Sequence, residues 1–500
     1  MAVLEDIEVK TYGHYINGEW VPSESGEWFE TICPATGQVL GRFPKGTRGD
    51  VLRAIEAAEA AFPAWRRTPP PKRGLILFRA AQLLRERKEE LGELVTREMG
   101  KVIAEGKGDV QEAIDFLEYI AGEGRRLLGE TTPSELPDKF CMTVRQPIGV
   151  VGCITPWNFP MAIPIWKIGA ALISGNTIVF KPASLTPRCV AALAEVFEEA
   201  GLPRGVLNVV TGSGGTVGRE IVENPRIKAV SFTGGVPAGK DIYAAAAKNL
   251  KPVELELGGK NPQIVMDDAN LDLALEGLLF GAFGTAGQRC TATSRLILHE
   301  KVYDRCMAML VKRTEALKVG NPLVPTVDVG PVVDAAAGES IMRYIAIGKQ
   351  EATLVTGGRR LTGGMYDDGF FIEPTIFETR HGTRISLEEI FGPVLSVIKV
   401  RDFDEAVWVA NGVEYGLSSS IYTRDVNLAF RAVDLLETGI TYINAPTIGA
   451  EVHLPFGGVK NTGNGGREAG TSAIDEFTEI KTVFVDYSNR LQKAQIVDER

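Results

Sequence analysis

Cys290, Glu256 and Asn158 have the side chains and local surroundings that covalent catalysis requires. Cys290 lies in FGTAGQRCTATSR, where small residues would let a ligand approach the sulfur and the neighbouring Arg289 would favour a thiolate. Glu256, beside two glycines in VELELGGKNP, could deprotonate a thiol or a water if burial raised its pKa. Asn158 in ITPWNFP could donate its amide N–H to an oxyanion. With only four histidines in the chain, a glutamate–cysteine pair is the economical choice for covalent catalysis.

Each of these residues also has a purely structural interpretation: an inert buried cysteine, a turn glutamate, and an asparagine bonded to its own backbone. The other five cysteines show no CxxC spacing, which argues against a zinc site or a disulfide framework. Such scattered thiols favour a reducing compartment. The histidines show no paired-ligand spacing, so no metal site is predicted.

Two glycine-rich turns could hold phosphate groups. TGSGGTVG follows an apolar segment at 206–210, and SFTGGVPAGK follows another at 228–232. Each could equally be a plain strand–helix turn, but two such turns in one sheet favour a dinucleotide. Lys181, at the end of NTIVFKP, could reach a ribose or phosphate, or could be a solvated lysine at a strand end.

These residues must be positioned by alternating strands and helices. We expect a helix capped by Asp50, long amphipathic helices over 73–98 and 101–128, and a hairpin near 130–147. From residue 148 onward, short β-branched runs alternate with helical segments in two series. This pattern predicts an α/β fold with two doubly wound parallel sheets and a cleft between two domains.

Composition excludes several classes of function. The chain has 500 residues, 44% hydrophobic and 24% charged, with a formal charge of −10. An acidic chain is a poor candidate for binding nucleic acid or an anionic membrane. The segment MAVLEDIEVK lacks the apolar stretch of a signal peptide, and no apolar run is long enough to span a membrane. We therefore expect a cytoplasmic protein.

The chain resembles the aldehyde dehydrogenase superfamily over residues 15–487. Seven motifs occur in the family order: TPWNFP, KPAS, FTGG, LELGGK, GQRC, EEIFGP and PFGGVK. The resemblance implies a cofactor domain (1–129 and 148–257), a catalytic domain (258–457) and a small β flap (130–147 and 473–490). The flap would make a homodimer or homotetramer.

The resemblance also implies an NAD(P)-dependent oxidation of an aldehyde to an acid. Cys290 would attack the aldehyde, with the oxyanion held by the Asn158 side chain and the Cys290 N–H. Glu256 would activate the water that hydrolyses the thioester, and Glu468 in GREAG is similar to a family glutamate in a proton relay. Glu256 argues against a phosphorylating or CoA-acylating enzyme. All three catalytic side chains together argue against a non-catalytic binding protein on the same fold.

For the cofactor, the resemblance places Lys181 and Glu389 at the riboses, Phe391 near the nicotinamide, and Thr233, Gly234 and Gly235 at the pyrophosphate. The remaining cofactor positions are Ile154, Thr155, Pro156, Trp157, Ser184, Gly214, Gly218, Phe232 and Leu257. Ser184 stands where many NAD-preferring members carry a glutamate, which would repel a 2′-phosphate. We therefore expect use of both cofactors with a preference for NADP.

For the substrate, the resemblance puts an α-aminoadipate-like semialdehyde first, with α-ketoglutarate or succinate semialdehyde as the alternative. Stretches such as AFGTAGQRCTATSRL resemble the α-aminoadipate semialdehyde dehydrogenases, in which an arginine and a helix glutamate hold the amino-acid end. Arg289 and Glu112 match those positions, and Gly449, Ala450 and Phe456 would line the pocket. Glu112 could equally be a solvated helix residue. PWNFPMAIPIWKIG instead resembles α-ketoglutarate semialdehyde dehydrogenases. A broad-range aliphatic enzyme is a further alternative, whereas both branches imply an aldehyde with a distal carboxylate.

Overall fold

The computed structural model describes residues 9–495. Most of the acidic N-terminal segment, on which the expectation about a signal peptide rests, lies outside the described residues. The helices are α1 (Arg48–Trp65), α2 (Pro70–Glu86), α3 (Lys88–Met99), α4 (Ile103–Glu123), α5 (Ala162–Ser174), α6 (Pro187–Glu199), α7 (Arg219–Glu223), α8 (Val236–Ala247), α9 (Leu271–Phe283), α10 (Tyr303–Glu315), α11 (Ala335–Glu351), α12 (Arg384–Leu387), α13 (Phe403–Asn411), α14 (Val426–Leu435) and α15 (Ser472–Glu476). The strands are β1 (Lys10–Thr11), β2 (His14–Ile16), β3 (Glu19–Val21), β4 (Trp28–Ile32), β5 (Val39–Pro44), β6 (Thr131–Pro133), β7 (Lys139–Pro147), β8 (Val150–Ile154), β9 (Thr177–Lys181), β10 (Leu207–Val209), β11 (Ala229–Thr233), β12 (Val253–Glu256), β13 (Asn261–Val265), β14 (Thr293–His299), β15 (Thr353–Thr356), β16 (Thr375–Thr379), β17 (Val394–Val400), β18 (Tyr415–Gly416), β19 (Ser418–Tyr422), β20 (Ile440–Ile443), β21 (Val459–Lys460) and β22 (Thr478–Asp486).

The first large sheet positions the predicted cofactor residues. Within residues 9–495 its strand order is β12-β11-β8-β9-β10-β2-β3, and the strands from β12 to β10 run parallel. Strands β2 and β3 are antiparallel additions that the sequence analysis missed, because three residues each are too few to show a period. Hydrophobic clusters cover both faces, as a doubly wound sheet requires: α4, α5 and α6 contribute to one, and α1 to the other.

The second large sheet begins directly after Glu256. In the described chain its order is β15-β16-β17-β14-β13-β19-β20, and every strand except the edge strand β15 is parallel to its neighbours. The α/β fold with two doubly wound sheets is therefore confirmed. A third, antiparallel sheet joins β6, β7 and β22, with β7 and β22 paired over nine residues. This β flap exposes large apolar side chains such as Ile480 and Phe484.

Three helix predictions were wrong in detail. Thr47, rather than Asp50, is the N-cap of α1: its hydroxyl accepts from the Asp50 N–H while the Asp50 carboxylate accepts from the Thr47 N–H. The helix predicted over 73–98 is two helices, α2 and α3, because Arg87 leaves helical geometry with φ −107° and ψ 15°. The helix predicted over 101–128 is α4, which is shorter at both ends. No helix in the described part of the chain has the length and apolar character to cross a bilayer.

Candidate active site

A cleft of about 830 Å³ lies at the carboxyl ends of the parallel strands β8, β9 and β11. Open parallel sheets bind ligands at this edge. The cleft is lined by every predicted cofactor residue except Ser184: Ile154, Thr155, Pro156, Trp157, Lys181, Gly214, Gly218, Phe232, Thr233, Gly234, Gly235, Leu257, Glu389 and Phe391. Cys290 and Asn158 line it too, so the candidate nucleophile lies next to the predicted nucleotide site.

The side chains and backbone of this cleft fit a dinucleotide. A Cβ built on Gly214 or Gly215 would meet none of the described atoms within 4 Å, which leaves room for a bulky group. The buried Lys181 ammonium donates to the Pro182 carbonyl at 2.9 Å, and burial lowers its pKa to about 8, so an anion beside it would be stabilising. The buried Thr155 hydroxyl has no hydrogen-bond partner among residues 9–495.

The other end of the cleft approaches Cys290. Here Glu389 accepts a hydrogen bond from the Gly259 N–H at 2.9 Å, and burial raises its pKa to about 7. The rings of Trp157 and Phe391 meet edge to face, with centroids 5.5 Å apart. Two aromatic rings and a carboxyl group are suited to hold a planar ring and its ribose.

Two walls of the cleft were not predicted. Helices α7 and α8 contribute Arg219, Val222, Glu223, Ala238, Asp241, Ile242 and Ala245. A signal was present, because Ala238, Ile242 and Ala245 recur at i, i+4 and i+7 on one helix face. Ser184 is exposed just outside the cleft, where its hydroxyl donates to the Gly212 carbonyl at 3.2 Å.

The backbone before Cys290 is strained. Thr285 and Ala286 both have φ of 52°, and Gly287 has φ of 70°. A Cβ on Gly287 would lie 2.2 Å from a neighbouring carbonyl oxygen, so the position requires glycine. Asn261 of β13, which the sequence analysis missed, donates its side-chain amide to the Cys290 carbonyl at 2.7 Å. The nucleophile is therefore held by a rigid loop.

The expectation that Arg289 would favour a thiolate was wrong for this geometry. Burial raises the pKa of the Cys290 thiol to about 12, and the carboxylates of Glu256 and Glu389 contribute in the same direction. The Arg289 guanidinium is occupied elsewhere, as described below. The thiol therefore needs a base nearby.

Asn158 is positioned against the same loop. Its side chain is 3% exposed and its amide donates to the Gln288 carbonyl at 3.2 Å. The Gln288 side chain is itself fixed, donating to the Thr285 carbonyl and accepting from the Val333 N–H. The Asn158 amide is thus held against the residue two positions before Cys290. From there it is suited to donate to an oxygen that develops negative charge near the sulfur.

Glu256 ends β12 and is only 2% exposed. Neither carboxylate oxygen has a hydrogen-bond partner among the described residues. Burial raises its pKa well above the usual value, and the nearby Glu468 and Glu254 raise it further. The raised pKa that a carboxylate base needs is thus provided by its surroundings.

Glu468, which follows the loop KNTGNGGR, is also buried. It forms an ion pair with Lys167, and its Oε1 accepts a hydrogen bond from the Thr233 hydroxyl at 3.3 Å. The loop packs closely on β12: Asn464 accepts from the Leu255 N–H at 3.0 Å. The loop therefore covers the strand that carries Glu256.

The predicted substrate anchors form a separate polar group. The Arg289 guanidinium donates to Glu105 at 2.7 Å and to the Thr285 hydroxyl at 2.9 Å. It lies over the ring of Phe159 at 5.5 Å, and the Lys101 ammonium lies over the same ring at 3.7 Å. Sequence reasoning missed Glu105 and Lys101, because their partners are distant along the chain.

Glu112 is partly buried on α4, and burial together with Asp109 raises its pKa to about 8. Phe456 is buried against Trp166, with ring centroids 5.1 Å apart. Gly449 is exposed and Ala450 is partly buried. Within residues 9–495, no group of three or more His, Cys, Asp or Glu side chains is arranged to hold a metal ion.

The fold and the site together define an oxidoreductase in which a nucleotide cleft meets a cysteine. A profile of the aldehyde dehydrogenase family matches residues 20–483, and the chain belongs to this family, whose members use NAD or NADP. It is 44% identical to the α-ketoglutaric semialdehyde dehydrogenase of Bacillus subtilis over 481 residues (96% of this chain, 99% of the relative). It is 42% identical to the succinate-semialdehyde dehydrogenase [NADP(+)] of Escherichia coli (93% and 96%). The solved structure of the betaine aldehyde dehydrogenase of Staphylococcus aureus with NAD+ superimposes with a TM-score of 0.94, at 35% identity and 96% coverage of both chains.

Proposed function

We propose that the protein oxidises a semialdehyde with a distal carboxylate to the corresponding diacid. The observation that carries the proposal is the pair of cations, Lys101 and Arg289, that both lie over the Phe159 ring, with Arg289 next to the nucleophile in the chain. The guanidinium of Arg289, the residue that precedes the nucleophile, would bind the far end of a short carboxylated aldehyde. The relatives named above are an α-ketoglutaric semialdehyde dehydrogenase and a succinate-semialdehyde dehydrogenase, which supports the same substrate class.

In the proposed reaction Cys290 attacks the aldehyde carbon after Glu256 takes its proton. The side-chain amide of Asn158 and the Cys290 N–H hold the resulting oxyanion. A bound nicotinamide would accept the hydride that converts this adduct into a thioester. Glu256 then removes a proton from water, which hydrolyses the thioester and frees the acid. The unpartnered, buried carboxylate of Glu256 supports its role as the base.

The identity of the semialdehyde depends on Glu112. The resemblance placed α-aminoadipate semialdehyde first, since Glu112 could face an ammonium group. With its pKa raised to about 8, however, Glu112 holds a proton at neutral pH. A protonated carboxyl donates a hydrogen bond, which suits a keto oxygen better than an ammonium. This observation favours α-ketoglutarate semialdehyde, with α-aminoadipate and succinate semialdehydes as alternatives.

The first experiment compares NADPH and NADH formation for these three semialdehydes and an aliphatic aldehyde, in wild type and Arg289→Ala. Loss of a charge-assisted hydrogen bond worth about 1.5–3 kcal/mol should lower kcat/KM for the carboxylated aldehydes roughly 10- to 100-fold. The aliphatic aldehyde should change less than about threefold. If the aliphatic aldehyde is the best substrate and the variant treats all aldehydes alike, the carboxylate proposal is wrong.

We propose NADP as the preferred cofactor, because Ser184 leaves the 2′ position free of negative charge. We further propose that the β flap makes contacts between subunits of a homodimer or homotetramer, since Ile480, Phe484 and Tyr487 expose apolar surface along it. Six unpaired cysteines within the described residues support a cytoplasmic location.

A further inference from the structure

At its edge strand β12, one buried face of the first sheet carries acidic side chains, although the buried face of a sheet is usually apolar. Glu254 and Glu256 are two residues apart on β12, so their side chains lie on the same face. They are in register with Ser231 and Thr233 on the parallel neighbour β11. The residue between the two glutamates, Leu255, belongs to the hydrophobic cluster of the opposite face. The alternation places two hydroxyls and two carboxyls together inside the protein.

Three other elements close over this face. Lys167 of α5 donates to the Ser231 hydroxyl at 2.7 Å and forms an ion pair with Glu468. Glu476 ends α15, which packs on α5. The loop after β21 covers Glu254 so closely that a Cβ on Gly466 would lie 1.7 Å from its Oε2. The carboxyls of Glu254, Glu256, Glu468 and Glu476 therefore surround one lysine, and we call these four the carboxyl cluster.

The charges in this group do not balance if every carboxyl is ionised. Among the described residues, Lys167 and Arg467 are the cations that lower the pKa values of these carboxyls. The thiol of Cys153, in register with Ser231 on β8, stays protonated because burial raises its pKa to about 12.

The carboxyl oxygens that lack a hydrogen-bond donor indicate which carboxyls hold protons. Oxygens of Glu254, Glu256 and Glu476 are buried and accept no hydrogen bond from any residue in 9–495. Burial raises the pKa of Glu254 to about 7, and raises that of Glu476 well above its usual value. Some of these carboxyls therefore carry protons at neutral pH.

The proposed reaction creates a need for such storage. Glu256 must take one proton from the Cys290 thiol and a second from the attacking water. Between these steps the first proton has to leave Glu256, and one proton returns to the sulfur when the acid departs. A single further carboxyl, Glu468, could hold one proton but would then be unable to pass on a second.

We propose that Glu254 and Glu476 act through Glu256 as positioning residues that store and pass on its protons, and that the protons leave through Glu254. Each transfer moves a proton from one carboxyl to a neighbouring carboxylate, so the donor becomes a carboxylate again. Glu254 is the outlet because β12 is an edge strand and the loop above it is exposed at Asn464 and Gly465. This inference rests on the proposed role of Glu256 as the base.

The test follows NAD(P)H absorbance and proton release, with a pH-indicator dye, in one stopped-flow experiment. Glu254→Gln and Glu476→Gln are compared with wild type and with Glu339→Gln, which removes an exposed charge on α11, outside the β flap. We expect first-turnover NAD(P)H formation and the aldehyde KM to stay within about twofold. Because the second proton has no place to go, kcat and proton release should fall at least fivefold in both variants and remain unchanged in Glu339→Gln. The acid limb of kcat against pH should also move to lower pH in Glu254→Gln, since Glu254 is one of the carboxylates that raise the pKa of Glu256.

Unchanged kcat, proton release and pH profile in folded variants would overturn the inference. If Glu256→Gln itself keeps wild-type turnover, the proposed reaction fails instead, so the two failures are distinguishable. If Glu254→Gln does not fold, Gly466→Ala replaces it, because the added methyl displaces the Glu254 carboxylate without removing it. A Gly466→Ala variant with normal proton release would equally contradict the proposal.

Discussion

The guanidinium of Arg289 donates to the Glu105 carboxylate at 2.7 Å, and the same carboxylate accepts two hydrogen bonds from the Thr285 N–H. Glu105 of α4 therefore fixes both the predicted substrate anchor and the strained loop that leads to Cys290. An anchor that is already paired must exchange one carboxylate for another when substrate binds. Under the proposed function, Glu105 would therefore compete with the substrate carboxylate for Arg289.

Glu105→Gln should strengthen the binding of carboxylated semialdehydes. The amide oxygen can still accept from Thr285, whereas the negative charge that opposes the substrate is gone. We expect KM for α-ketoglutarate semialdehyde to fall about three- to tenfold, while KM for an aliphatic aldehyde stays the same. A rise in KM for both aldehydes would show that Glu105 serves the loop rather than the substrate site.

Ser184→Glu should reverse the cofactor preference. A carboxylate at this exposed position repels a 2′-phosphate and can bond the hydroxyls of a ribose. We expect Kd for NADP, measured by quenching of intrinsic fluorescence, to rise at least about tenfold, with Kd for NAD unchanged or lower. Ser184→Gln is the matched control, since it adds similar bulk without charge. Equal losses in both variants would assign the effect to size.

Activity should depend on the ionisation of Glu256. A base must be deprotonated, so kcat/KM should fall as pH drops through its raised pKa. Removing the negative charge of Glu468 makes the ionised form of Glu256 less costly, which lowers this pKa. Glu468→Gln should therefore shift the acid limb to lower pH, as measured between about pH 5 and 10. A shift to higher pH would contradict the electrostatic account.

Lys101→Met should destabilise the fold strongly. Lys101 and Asp109 form a fully buried ion pair at 3.2 Å, and Asp109 also accepts from the Ala162 N–H at the start of α5. Leaving Asp109 charged and unpaired should cost about 3–5 kcal/mol in urea unfolding. Lys107→Met, which breaks the exposed pair with Glu89, should cost less than about 1 kcal/mol. If both variants lose the same free energy of unfolding, burial does not make the Lys101–Asp109 pair more important for stability than an exposed pair.

The sequence predicted those features of the fold and the site that depend on local patterns of residues. The alternation of apolar runs and helices predicted both large sheets, and the fourteen cofactor residues indicated by the motifs and the family resemblance came together in one cleft. Most of them end or follow strands of the first sheet, and the carboxyl ends of parallel strands meet at one edge whatever the details of packing. The break between α2 and α3 at Arg87 was harder to predict from sequence, since the residues around it suit the end of one helix and the start of the next equally well.

Pairings across the fold could not be predicted. Nothing near Arg289 in the sequence indicates Glu105, which is 184 residues away, and nothing near Glu254 indicates Gly466 or Lys167. Such partners depend on how α4, α5 and the loop after β21 pack, which periodicity does not encode. The charge that a residue carries in the folded protein is therefore the part of the site that sequence reasoning most often misses.

The glycines over β12 have a practical consequence for protein engineering. The stretch KNTGNGGRE looks like an ideal place for an affinity tag, a circular permutation or a randomised library, because it is polar, glycine-rich and partly exposed. Yet a Cβ on Gly466 would lie 1.7 Å from Glu254 Oε2, and one on Gly463 would lie 2.6 Å from the Leu255 carbonyl oxygen. Insertions are better directed elsewhere, for instance to the exposed turn at Gly363, where a Cβ would meet none of the described atoms within 4 Å.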